Sequence, residues 1–433
     1  MKLPTKSANK AVEIQDFYEV KVGSLWRGLK QEHVSFWFLC AYLFFEYIRP
    51  QSLYPVIDIL PWALLSLLLA CVTAISDKTA TWVKSPGNGL IIAFFIVILL
   101  SSAFAFRPSI SWGKIDIFVN WVILYFLFIA VVNTEKRFLL FALLFFLLNF
   151  KMSQHGFTSF AARGFAYTSW GVTGSPGWFR NAGDFGIQMT IFVPLAIAFI
   201  LALQTHWGKY KKLLFYMLPI TGLVTVLATS SRGAQLGVVA TVLWFIMKSK
   251  HLVKTAAILL VLGSATYAVL PDEMLAEYQG MGEDSTSEAR LSLWGFGMEV
   301  VKDKPFLGVG YENWLAYCRY VNPHGVGKKS YCVDTHNTYV EAASELGVTG
   351  FLLFISTILF MFVLNARTRK NVRQSDNRFI SYMAHGLDGG LVGSAVASFF
   401  FSILFYPMFW VQLAMTVALH QISKKQISNM DAL

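Results

Sequence analysis

Residues 334–350 read DTHNTYVEAASELGVTG and close a long polar stretch just before an apolar run. Histidine is the side chain that exchanges a proton near neutral pH. At the start of a helix it also lies beside free amide N–H groups that can hold an anion. Asp334 or Thr335 is suited to cap a helix beginning here, which puts His336 in the first turn. The positive end of the helix dipole favours the neutral imidazole, the form that accepts a proton, while Asp334 pulls the other way. A capping and packing role for His336 fits these residues equally well.

Two arginines offer complementary chemistry. Arg232, in ATSSRGAQLG, precedes the apolar run 234–248, in which the 14 residues from Ala234 to Met247 rise only ~21 Å as a helix. That helix has to end at Lys248 on the far face, so Arg232 is held near or below the headgroup layer, where an unpaired cation is costly. A lipid phosphate is its natural partner, because guanidinium makes bidentate, charge-assisted bonds to phosphate oxygens. Ordinary headgroup contact is the plainer alternative. Arg290, in SEARLSLWGFGMEV, opens an expected helix with Ser287 as N-cap and Trp294 one turn on; a solvated pair with Glu288 explains it as well. Lys151, Arg163 and Arg180 crowd a shorter loop near GSPGWFRNAGDFG, giving a basic, aromatic-lined surface suited to an anionic substrate.

The elements that must position these residues are membrane helices. The 433-residue chain is 55% hydrophobic and 14% charged, whereas a soluble domain carries about 25% charged residues. Apolar runs long enough to span a bilayer fall at about 33–49, 57–75, 88–106, 115–133, 137–151, 186–204, 212–229, 234–248, 253–270, 348–365, 385–405 and 407–421. The fold class expected is therefore an all-α polytopic membrane protein with about 12 transmembrane helices. Residues 1–32 form a cytoplasmic N-terminal segment; spans 1–9 occupy 33–270, with an external loop at 151–185. A large, partly helical external domain covers 271–347, spans 10–12 cover 348–421, and 422–433 is a cytoplasmic tail. Lys and Arg concentrate in the loops on the side of the two termini, which places both termini in the cytoplasm. The polar first thirty residues lack an apolar core and a cleavage site, so the first span is expected to double as the insertion signal.

The net charge of +11 lies in these short loops, and no basic stripe with interleaved aromatics points to nucleic acid. GVGYEN at 308–313 lacks the third glycine of a dinucleotide fingerprint. No HExxH, CxxC or DxD pattern suggests a metal, and no cofactor is called for. Cys40 and Cys71 lie inside spans; Cys318 and Cys332 share the large external loop, where an oxidising compartment lets them pair or leaves two thiols. A transporter usually carries ionisable groups near the bilayer midplane. Here Glu46, Asp58, Asp116 and Asp388 mostly lie near span ends, and Asp388 is readable as a hydrogen-bonded structural carboxylate.

The order TSSRG (229–233), SEARLSLW (287–294), FLGVGYENW (306–314) and HNTYVEAASELGVTGF (336–351) resembles the bacterial O-antigen ligase and Wzy-type polymerase superfamily. FFEYIRPQSLYP (44–55) resembles a subgroup of the ligases. The resemblance implies a GT-C-like fold and an inner-membrane glycosyltransferase with a periplasmic active site. Its donor is an undecaprenyl-diphosphate-linked polysaccharide, its acceptor a sugar hydroxyl of lipid A–core, and membrane lipids surround it. Within it, His336 matches the essential histidine, and Arg232 and Arg290 the arginines that hold the diphosphate. Arg163, Arg180, Asn181, Asn337 and Tyr339 are further candidates for substrate contact. GWFRNAGDFG departs from the commoner asparagine-rich form of its loop, with Asp184 where a second Asn is often found. A Wzy-type polymerase or a protein O-oligosaccharyltransferase shares the donor; a lipid-linked glycan transporter is the reading from another class.

Overall fold

The computed structural model describes residues 14–249, 285–327 and 331–431, except Tyr167 and Ser169, together with Val253, Ala257 and Ser264. No strand occurs among them. The helices are α1 (Ile14–Tyr18), α2 (Val22–Lys30), α3 (Val34–Tyr47), α4 (Pro50–Leu53), α5 (Trp62–Ser76), α6 (Pro86–Ala103), α7 (Pro108–Val131), α8 (Glu135–Ala162), α9 (Ala182–Leu203), α10 (Lys209–Ala228) and α11 (Arg232–Lys248). After the undescribed stretch come α12 (Ser285–Asp303), α13 (Trp314–Val321), α14 (Thr338–Asn371), α15 (Arg378–Ala397) and α16 (Pro407–Asp431).

Among the described residues seven segments are long and apolar enough to cross a membrane: Pro55–Ser76, Pro86–Ala103, Pro108–Val131, Glu135–Ala162, Ala182–His206, Lys209–Ala228 and Thr338–Asn371. The chain is an all-α polytopic membrane protein. Helices α3, α11, α15 and α16 fall on four further expected spans, and the expected ninth, 253–270, lies outside the described residues. Helix α8 runs on to Ala162, so the first turns of the expected 151–185 loop are helical.

Caps and small residues explain how the bundle closes. Thr134, Ser231 and Asn377 begin α8, α11 and α15 by accepting bonds from Arg137, Ala234 and Ile380 backbone N–H groups. The glycine run of α15 lets backbones approach closely: a Cβ on Gly237 of α11 would lie 2.5 Å from the Gly393 carbonyl oxygen. Asp388 between these glycines accepts from Asn365 at 2.9 Å and Arg369 at 2.6 Å, as a structural carboxylate should. At the same end of the bundle, buried Arg137 joins Glu32 at 2.5 Å and Asp77 at 3.4 Å.

One expected span is corrected. Residues 385–405 do not make one helix: α15 stops at Ala397, a short 3-10 turn covers Ser398–Phe400, and 401–406 is non-helical up to Pro407. Proline at the first position of α16 disfavours helix for the residue before it, and antiparallel helices need a connection of a few residues. That connection lies inside the protein, with Ile403, Leu404 and Phe405 buried.

Candidate active site

The 398–406 segment is the hub on which the candidate residues assemble. The Phe401 carbonyl accepts from Thr338 Oγ1 at 2.6 Å, and Ser402 Oγ shares a 2.8 Å hydrogen bond with Thr335 Oγ1. Glu341 Oε2 accepts from the Leu404 amide at 3.2 Å. On its other side the hub meets the first turns of α9 and α11. A Cβ on Gly183 would lie 1.9 Å from the Phe401 ring, and one on Gly233 would lie 2.8 Å from both Phe400 and Phe401.

His336 does not sit in the first turn of a helix. It lies in a bend at φ 47°, the left-handed region, and is partly buried. The cap of α14 is Asn337, whose Oδ1 accepts from the Tyr339 and Val340 amides at 2.9 and 3.1 Å. Neither Asp334 nor Thr335 takes that role; asparagine competes well for it, being among the strongest capping residues. Asn337 is thus buried, with its Oδ1 bonded to the backbone of the first turn. Tyr339 turns to α15, donating to the Ala395 carbonyl at 2.7 Å, with its ring 4.4 Å from that of Phe399.

Two tryptophans fix the single strand of extended chain, paired in no β-sheet, that leads to His336. Trp294 of α12 donates its indole N–H to the Thr335 carbonyl at 3.0 Å, and Trp314 of α13 donates to the Val333 carbonyl at 2.8 Å. The disulfide Cys318–Cys332 ties α13 to the same strand. Trp294 also lines an apolar groove of ≈ 500 Å³ whose other walls are Leu236, Val239 and Leu243 of α11 with Val396, Phe399 and Phe400. Arg232 is the first residue of α11, one turn before Leu236, and Arg290 lies one turn before Trp294. Residues four apart share a helix face, so each arginine, partly buried, lies one turn from a groove residue on the same face of its helix.

The shorter loop is organised differently. Asn181 caps α9, its Oδ1 accepting from Gly183 at 2.8 Å. Arg180 is exposed, and Arg163, also exposed, follows the end of α8 and donates to Thr168 at 3.2 Å. FFEYIRPQSLYP grips this loop from outside. Trp178 donates to Glu46, Ser175 donates to the Tyr47 carbonyl, and Arg49 pairs with Glu46 at 3.7 Å. The Trp178 ring then contacts Tyr406 of the hub, with centroids 4.9 Å apart.

FLGVGYENW is a structural plug. Val309 donates to the Ser344 carbonyl at 2.8 Å and accepts from the Phe106 amide at 2.8 Å. Gly310, at φ 113°, lies where any Cβ would come within 2.2 Å of Ala105. Glu345 accepts from the amides of Glu312 at 2.8 Å and Trp314 at 3.0 Å. Asp334 stands at the edge of a polar cavity next to this plug, and burial against its walls raises its carboxyl above the usual range, with Lys114 opposing the shift. Among the described residues no group of three or more His, Cys, Asp or Glu is placed to hold a metal ion.

Sequence reasoning did not find Trp294 as a clamp, Trp314, or the 398–406 hub. The signal for the hub was Pro407 directly after an aromatic run, which cannot continue a helix unbroken.

Residues 215–355 match the family described as O-Antigen ligase. The chain is also 31% identical over 86 residues to the Exopolysaccharide production protein ExoQ of Rhizobium meliloti (strain 1021). That match covers 19% of this chain and spans about a fifth of the relative's length, 20%. Both are partial similarities, the family match covering about a third of the chain, and they point to the O-antigen ligase and Wzy-type superfamily. The family match takes in α11, α12, both tryptophans and His336.

Proposed function

We propose that this superfamily member transfers a glycan from a polyprenyl diphosphate to an acceptor hydroxyl, and that it is an O-antigen ligase. The donor is an undecaprenyl-diphosphate-linked polysaccharide and the acceptor a sugar hydroxyl of lipid A–core. The observation that carries this reading is the groove: an open apolar surface along α11, with Arg232 and Arg290 one helical turn from its residues Leu236 and Trp294, and Trp294 bonded to the segment that leads to His336. Such a surface fits a polyprenyl tail, and guanidinium fits the diphosphate that follows it.

In the reaction the acceptor oxygen bonds to the anomeric carbon while the bond from that carbon to the diphosphate oxygen breaks. The diphosphate leaves with the bonding pair. Arg232 and Arg290 stabilise the charge that develops on it, and the hydroxyl proton passes to the His336 imidazole. Attack opposite the leaving group inverts the anomeric carbon. No metal is required of this scheme, because two guanidinium groups supply the positive charge. The His336 end of the bundle is periplasmic in this reading and both termini are cytoplasmic; Lys209, Lys211, Lys212, Lys248, Arg369 and Lys370 at the other end favour that orientation in the inner membrane.

The exopolysaccharide relative favours a second reading, a polymerase whose acceptor is another lipid-linked glycan. Lipopolysaccharide from a strain lacking the gene separates the two. A ligase leaves complete core without O-antigen while lipid-linked polymer accumulates. Core bearing one repeat identifies the polymerase, and unchanged lipopolysaccharide removes both. Purified His336→Ala is expected to retain donor binding and lose transfer, and retained transfer takes the histidine out of the chemistry.

A further inference from the structure

A second cavity, of ≈ 620 Å³, is lined in part by Asp334 and Trp314, next to the segment that leads to His336. Its walls are polar. They include Arg107 and Lys114 at the start of α7, Glu312 and Trp314 of the plug, Arg319 of α13, and Asp334. Trp314 is shared between the cavity wall and the clamp on Val333, as Trp294 is shared between the groove and the clamp on Thr335. The segment that leads to His336 is therefore held by one tryptophan from the apolar groove and one from the polar chamber.

The charges in the chamber are arranged unevenly. Glu341 and Glu345 reach it from α14, but both accept backbone amides, of Leu404 at 3.2 Å and of Glu312 and Trp314 at 2.8 and 3.0 Å. Glu312 pairs with Lys114 at 2.6 Å. Arg107 and Arg319 have no carboxylate partner among the described residues and are exposed. Both line the cavity, and the Phe106 ring next to Arg107 contacts the Tyr320 ring next to Arg319, with centroids 5.0 Å apart. Guanidinium forks of this kind are suited to a carboxylate or phosphate. Aromatic faces at Trp314 and Tyr320, with carboxylates beneath, suit the ring and hydroxyls of a sugar.

Resting on the transferase reading above, we infer that this chamber is the acceptor subsite and that its ligand is a sugar bearing an acidic substituent. The substituent binds Arg107 and Arg319 at the rim, and the hydroxyl to be glycosylated points past Asp334 to His336. The groove then holds the donor and the chamber the acceptor, with the His336 segment tied to both through Trp294 and Trp314.

Saturation-transfer NMR on the full-length protein in detergent tests this with four probes: glucose 6-phosphate, glucuronic acid, glucose and glucosamine. The two acidic sugars are expected to bind, and the double variant Arg107→Gln/Arg319→Gln to weaken them by about tenfold or more, the scale of losing charge-assisted bonds. Both side chains are exposed, and a thermal melt verifies that the variant is folded. Glucose or glucosamine binding as well as the acidic sugars overturns the inference, as does an unweakened variant. Polyprenyl diphosphate binding measured in the same samples separates the two ideas. Donor binding without acidic-sugar binding removes the chamber alone, and acidic-sugar binding without donor binding removes the transferase reading. A variant that loses both assigns the rim to the donor and also overturns the inference.

Discussion

Gly347→Ala is the substitution whose effect can be worked most directly from the structure. Gly347 interrupts α14 with φ 72° and ψ −177°, between the half that begins at Asn337 and the half that crosses the membrane. That backbone region is essentially reserved for glycine, and a side chain there costs about 1–3 kcal/mol. A Cβ would also lie 2.3 Å from the Phe306 carbonyl carbon and oxygen and 2.6 Å from the Leu307 nitrogen. Backbone atoms cannot rotate away as a side-chain tip can, so relieving the clash adds about 1–3 kcal/mol of overpacking strain. The total is roughly 2–6 kcal/mol. The shift falls on the segment whose Val309 and Glu312 amides are held by Ser344 and Glu345, so the chamber and His336 lose register with each other. Thermal unfolding of the purified protein by intrinsic fluorescence, with glycan transfer measured in parallel, is the assay. Gly89→Ala on α6 is the control, since a Cβ there meets nothing within 4 Å, and it is expected to leave the melting temperature unchanged or slightly raised. A Gly347→Ala protein that melts and transfers like the control would show that the kink bears no load.

Two further outcomes are expected. Cys318→Ser/Cys332→Ser opens a link of sequence separation 14 and should cost about 3 kcal/mol in the chain-entropy model; transfer should fall because the freed strand ends at His336, and a melt matching wild type would refute the tether. Burial pushes the Asp77 carboxyl up, but hydrogen bonds from Thr79 and Ser35 and the charge of Arg137 outweigh it and hold the carboxyl below its ordinary value. A depressed carboxylate adds stability above its unfolded pKa and loses it as pH falls through the folded one. Asp77→Asn should therefore melt lower than wild type at neutral pH, with the gap closing only below the ordinary aspartate range; a gap that does not depend on pH refutes the assignment.

Hydropathy alone located the seven described helices that are long and apolar enough to cross a membrane, because each must satisfy its backbone internally over a fixed thickness. It misjudged 385–405, since residues 401–406 are as apolar as a span yet non-helical. Buried chain of that kind finds its hydrogen bonds in distant side chains, here Thr338, Glu341 and Ser402 paired with Thr335, and no local pattern announces them. Arg232 was legible at the start of α11 because a short apolar run with basic far flank fixes its depth. The cap was misassigned by two or three residues because DTHN offers three good capping types in succession. The tryptophan clamps depend on contacts between residues 41 and 19 positions apart, a separation that periodicity does not reach.

The left-handed backbone at His336 has an engineering consequence. Glycine adopts that conformation freely, while every side chain, histidine included, carries some cost there. A search for stabilising substitutions would therefore rank Gly at 336 above the native residue. Accepting that choice would yield a better-folded protein with no imidazole at the end of the segment held by Trp294 and Trp314. Redesign of this chain for robustness should hold position 336 fixed and take its gains elsewhere.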